Sequence, residues 1–116
     1  MTDITRFDTT PRMSQAVVHG DTVYLAGQCG TAHDPIADQT RTALAKVDSY
    51  LAQVGTSKDR LLSVTIWLSS IADYDAINQV WDAWLPVGHA PARSCGEVQI
   101  GGSGYDIEII CTAALP

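Results

Sequence analysis

The chain has 116 residues, 46% of them hydrophobic, with seven Lys and Arg set against thirteen Asp and Glu. That length fits a single domain over 1–116, large enough to bury a core of its own. A net charge of −6 with scattered basic residues excludes an electrostatic nucleic-acid footprint and disfavours anionic membrane surfaces.

The opening segment, MTDITRFDTTPRM, lacks the layout of a signal peptide. No apolar run is long enough to span a bilayer. Cys29, Cys95 and Cys111 form an odd set without C-x-x-C spacing, which reads as reduced thiols and predicts a cytoplasmic protein.

A short strand is expected at Ile4–Phe7. Gln15–His19 and Thr22–Gly27 flank Gly20-Asp21 and predict a hairpin. Asp34-Pro35 then opens a helix, with Asp34 as cap and Pro35 at the first position. Its apolar or small residues, Ile36, Thr40, Ala43, Leu44, Val47, Tyr50, Leu51 and Val54, recur at three and four, and Gly55 stops it. Leu61–Leu68 reads as a strand. Asp73 caps a second helix carrying Tyr74, Ile77, Val80, Trp81 and Trp84 on one stripe, ended near Pro86 and Gly88. Two further strands, Ala92–Ile100 and Tyr105–Ala114, are joined by Gly101–Gly104. That tetrapeptide lacks the following helix and the Lys-Ser/Thr of a phosphate-binding loop, so it reads as a plain hairpin turn.

The predicted fold is α+β: a mixed six-stranded sheet with two helices on one face. The last strand is nevertheless apolar on both faces, with Tyr105, Ile107, Ile109, Cys111 and Ala113 opposite Ile110, Thr112 and Ala114. Leu61–Leu68 likewise sets Leu61 and Trp67 opposite Leu62, Val64, Ile66 and Leu68. Two helices cover one face only, so the other is expected to be buried between copies of the chain in a homo-oligomer.

Glu108 shares that second face. A hairpin centred on Gly101–Gly104 would bring it within a few residues of Arg93 across an antiparallel ladder. Two readings of the pair stand side by side. One is a structural salt bridge at a subunit contact. In the other the two charges have separate chemical roles. The guanidinium fork of Arg93 binds a ligand carboxylate, and Glu108 orients or deprotonates a water.

The stretch PARSCGEVQIGGSGYDIEII resembles the signature of the Rid (YjgF-type) family of enamine/imine deaminases, in which a P-x-R-x-x-x-E-V strand precedes a strand containing E-I. SQAVVHGDTVYLAGQCG is similar to the family's first hairpin and DYDAINQVWDAW to its second helix. The resemblance implies a chorismate-mutase-like fold, a homotrimer with sheets facing inward, and ligand clefts between subunits. The implied reaction hydrolyses reactive 2-imino acids or enamines, of the 2-aminoacrylate or 2-iminobutanoate type, to 2-oxo acids and ammonia. In it Arg93 holds the carboxylate, while Glu108 and the backbone carbonyl of Cys95 position water. Neither metal nor cofactor is implied. Asn78 falls where the family usually has Asn, and Gly27 and Gln28 are expected to shape the cleft through their backbone. Met13 replaces the tyrosine of many characterised deaminases and reads as an apolar cleft wall. The rival function is a non-catalytic trimer that binds a 2-oxo acid or another small carboxylate. His19, His33 and His89 lack zinc-ligand spacing, and Trp67, Trp81 and Trp84 read as core packing.

Overall fold

The strand with the plainest two-sided alternation lies at the centre of the sheet. The computed structural model describes residues 2–116. In chain order the elements are β1 (Ile4–Phe7), β2 (Ala16–His19), β3 (Thr22–Leu25), β4 (Gln28–Cys29), α1 (Ile36–Gln53), β5 (Leu61–Leu68), α2 (Tyr74–Trp84), β6 (Ala92–Glu97) and β7 (Ile107–Ala114). All strands join one sheet in the order β1-β2-β3-β7-β5-β6, with β4 also paired to β7. The sheet thus has seven strands, not six. The chain breaks at Ala26-Gly27, dividing the expected strand Thr22–Gly27 and freeing Gln28-Cys29 to make its own pair with Glu108-Ile109.

Alternation along β7 follows the sequence pattern. Ile107, Ile109, Cys111 and Ala113 are buried, and the residues between them are half-buried. The buried set packs with Val23, Leu25, Val64, Ile66 and Leu68 beneath Ala43, Leu44, Val47 and Leu51 of α1 and Ile77, Val80 and Trp81 of α2. Each large aliphatic side chain withdrawn from water there contributes about 1.5–3 kcal/mol. Thr22, Tyr24, Trp67, Glu108, Ile110 and Thr112 lie on the opposite face, which no element among the described residues covers. Trp67 is therefore not core packing: it lies half-buried on that face, its ring against Gly96.

Gly55 stops α1 as expected. It adopts φ +89°, its N–H bonds the Ala52 carbonyl, and the Thr56 N–H bonds that of Leu51, which together make a Schellman ending. The helix entrances differ from expectation. Pro35, rather than Asp34, is the N-cap of α1, and the Asp34 carbonyl accepts from Gln39 Nε2 at 2.9 Å. Asp73 precedes α2 but makes no side-chain cap bond. A 3-10 turn at Ile71–Asp73 leads into the helix, and Ser70 caps that turn by accepting from the Ala72 N–H.

Two further differences bear on the site. Leu62 is an extra residue in a β-bulge: Leu61 pairs Ala113 and Ser63 pairs Thr112. The bulge puts Leu61 on the core face with Val64, and Leu62 in solvent. Second, β6 does not form a hairpin with β7. It pairs with β5 in parallel, at the sheet edge. The physical reason is that β7 has β5 on one side and β3 with β4 on the other, so neither edge is free. Parallel strands need a crossover, and α2 supplies it between β5 and β6. Gly101–Gly104 accordingly carries the chain past β5 rather than turning a hairpin.

The connection from β6 to β7 is held by a buried amide. Gln39 Nε2 donates to the carbonyls of Asp34 and Gly104 at 2.9 and 3.0 Å, and its Oε1 accepts from the Asp106 N–H at 2.9 Å. Gly30 lies so close to the Gln39 backbone that a Cβ there would overlap it. No helix among the described residues is long and apolar enough to cross a membrane.

Candidate active site

Arg93 stands in β6, paired with Val64 of β5. Paired residues share a face, so Arg93 points to the helix side, where the end of α2 meets it. Its Nη2 donates to the Tyr74 hydroxyl at 3.1 Å. Its Cζ lies 5.3 Å from the Trp81 ring centroid and 5.7 Å from that of Tyr74. Two aromatic faces thus hold the guanidinium plane, each contact adding about 0.5–2 kcal/mol depending on desolvation. A recess of about 600 Å³ opens beside it, lined by Ile71, Ala72, Tyr74, Asp75, Arg93 and Cys95. Among the described residues the side-chain ion pair is Arg41–Asp38; no carboxylate neutralises Arg93.

Glu108 is paired with Trp67, three residues along β5 from Val64. The odd step turns it to the uncovered face. Two strand spacings and three residues separate the Cα atoms of Arg93 and Glu108, roughly 14 Å in all. The expectation that the two meet across a ladder is therefore corrected: within one chain they lie on opposite faces of the sheet, with β5 between their strands. A salt bridge inside the chain is excluded by the same geometry.

Gly27 lies directly against Glu108. A Cβ on Gly27 would fall 2.5 Å from Glu108 Oε2, so a glycine is required for the carboxylate to lie where it does. Cys29, the cross-strand partner of Glu108, is half-buried on the same face. Burial pushes its thiol pKa up, the Glu108 carboxylate pushes it further, and Lys46 partly offsets both. Lys46 Nζ also donates to the Cys29 carbonyl at 2.8 Å.

The other expected site residues separate. Cys95 sits two residues beyond Arg93 on the same face and lines the same recess. Burial raises its thiol pKa, partly offset by Arg93, which keeps it protonated and weakly nucleophilic at neutral pH. Asn78 is half-buried between Tyr74 and Trp81 on the α2 stripe that faces Arg93. Gln28 is buried on the helix side, its Nε2 bonded to Gln15 Oε1 at 2.9 Å and to the Ala26 carbonyl at 3.1 Å; its side chain does not reach the face of Glu108. Met13 is 45% exposed, in a turn closed by the Thr10 N–H on its carbonyl, and is not part of the Arg93 recess. Sequence reasoning missed Tyr74 and Trp81 as partners of Arg93. The signal was present: a strand, a helix and a strand in succession predict a crossover that lays the helix beside the second strand.

The sequence matches the family described as Endoribonuclease L-PSP over residues 3–115. A RutC family protein of Haemophilus ducreyi is 37% identical over 113 residues, covering 97% of each chain. The RutC family protein YoaB of Escherichia coli is 35% identical over 112 residues, covering 97% of this chain and 98% of that one. A crystal structure of a YjgF family member from Neisseria meningitidis matches at 38% identity with a TM-score of 0.95, over 98% of this chain and 96% of the other. The chain belongs to the YjgF/RutC family. The resemblance read from PARSCGEVQIGGSGYDIEII is thereby borne out, and the YjgF-like fold with it.

Proposed function

We propose that this YjgF/RutC protein hydrolyses short-lived 2-imino acids, and their enamine tautomers, to 2-oxo acids and ammonia. The observation that carries the reading is Arg93, a guanidinium fixed by two aromatic rings beside a recess and without an anionic partner among the described residues. Such a fork matches a substrate carboxylate with two parallel hydrogen bonds. Glu108 and the Cys95 carbonyl hold a water against the imine carbon. The water oxygen bonds to that carbon as one water proton passes to Glu108 and the C=N π pair moves to the nitrogen, which takes a proton from solvent, giving a carbinolamine. Glu108 returns its proton to the nitrogen, the C–N bond breaks to release ammonia, and the remaining hydroxyl gives up its proton as it becomes the carbonyl of the 2-oxo acid. Gly27 gives the Glu108 carboxylate its place, and Met13 and Asn78 bound the cleft.

Arg93 and Glu108 face opposite ways within one chain. The reading therefore requires that one copy supply Arg93 and a neighbouring copy supply Glu108. A homotrimer with uncovered faces turned inward provides three such clefts and buries Tyr24 and Ile110. One observation favours the rival, carboxylate capture without turnover: a single chain forms the Arg93 recess without Glu108 in its lining. The acidic balance of the chain weighs against RNA as a substrate.

Generating 2-iminobutanoate in situ with a threonine dehydratase, and following its decay, tests the proposal. The protein should hasten decay, Arg93→Ala should abolish the effect, and Glu108→Gln should lower it at least about a hundredfold while 2-oxobutanoate still binds. Binding without acceleration by the unaltered protein would establish the rival.

A further inference from the structure

We infer that Tyr74 is a ligand-contacting residue of the Arg93 recess, its phenol supplying a third hydrogen-bond donor to the anion that the guanidinium holds. The inference rests on the reading of Arg93 as the carboxylate-binding group and does not depend on turnover.

Arg93 Nη2 is the donor and Tyr74 Oη the acceptor of their 3.1 Å hydrogen bond, because a guanidinium has no lone pair to offer. The phenol's own proton is left over. No acceptor takes it among the described residues, and the ring is 39% exposed where it lines the recess. The guanidinium also stays competent. Nη2 carries two hydrogens, one beside Nε–H and one beside Nη1–H. Whichever one the phenol takes, the other edge keeps its two parallel donors. A carboxylate seated on that edge lies next to the phenol, whose O–H can close onto one of its oxygens. Accepting from a cation polarises the phenol and strengthens it as a donor. The site that results presents three donors to one carboxylate on a frame fixed by the Trp81 ring.

The chemistry that fits is a small monocarboxylate with an apolar tail. Cys95, Ile71 and Ala72 line the recess beyond the donors, and Asp75 in the same lining disfavours a second negative charge. A 2-oxo or 2-imino monoacid satisfies these conditions; a dicarboxylate does not.

Tyr74→Phe is the discriminating variant, since it keeps the ring over Arg93 and deletes only the hydroxyl. Calorimetric titration with 2-oxobutanoate should show about tenfold weaker binding than the unaltered protein, the loss expected of one hydrogen bond to a charged group. The thermal midpoint should stay within about 2 °C. In the imine-decay assay KM should rise by a similar factor while kcat stays within about twofold. A dissociation constant changed by less than about twofold overturns the inference, as does failure of the unaltered protein to bind 2-oxobutanoate. If the unaltered protein binds 2-oxobutanoate but does not hasten imine decay, deamination fails while the ratio of the two dissociation constants still decides the role of Tyr74.

Discussion

The two faces of this sheet are built to different rules. On the helix side apolar side chains close completely, and the polar groups admitted there are bonded: Gln39 by three strong hydrogen bonds, Thr40 to the Ile36 carbonyl, Gln28 to Gln15. Burial alone pushes the Cys111 thiol up to about 12. On the other side Tyr24 is about half exposed, and Trp67, Glu108 and Ile110 are only half-buried. One face is finished by the chain itself. The other leaves aromatic, aliphatic and carboxylate groups in contact with solvent, and it is the face on which the proposed neighbouring copy would sit.

The sharpest way to break the finished face is at Gln39. Replacing it with Leu orphans the Asp106 N–H and the Asp34 carbonyl, each on a half-buried residue and costing about 1–3 kcal/mol when unpaired, and chemical denaturation should record a loss of about 2–4 kcal/mol. A loss below about 1 kcal/mol would mean that water replaces the amide.

The boundary between the faces can be tested where the bulge exchanges two leucines. Leu61 is 6% exposed and Leu62 49%. Leu61→Ala should cost about 2–4 kcal/mol, and Leu62→Ala under about 0.5 kcal/mol. Equal losses in the same denaturation series would place the bulge elsewhere.

The smallest expected effect on stability belongs to the unfinished face. The nearest atoms that Gly27→Ala meets all belong to the Glu108 side chain, which can swing aside, so the fold should change by less than about 1 kcal/mol. The displaced carboxylate should nonetheless slow imine hydrolysis by about a hundredfold, the usual consequence of moving a reacting group by an ångström. Unchanged hydrolysis would remove Glu108 from the proposed chemistry.

Much of the fold was legible because it is written locally. The pleat has a period of two, so β7 sorted its own side chains into core and opposite face, and the 3.6 period did the same for α1. Gly20-Asp21 announced its two-residue hairpin, and Gly55 its helix end. Leu61 was misread because one inserted residue reverses the facing of everything before it, and nothing in LLSVTIWL marks the insertion. Gln39 escaped notice because a polar residue on a buried stripe looks like a break in the pattern until its partners, far away at Gly104 and Asp106, are known.

For the site, the sequence by itself singled out Arg93 and Glu108 and put Glu108 on the face without helices. Which strands became neighbours was decided only in three dimensions. With both edges of β7 taken, β6 had to join β5 in parallel, and that step sent Arg93 to the aromatic rings of α2 and away from Glu108. Facing is a property of consecutive residues and survives in the sequence; strand order depends on which edges remain free after distant segments have packed, and no short stretch records it.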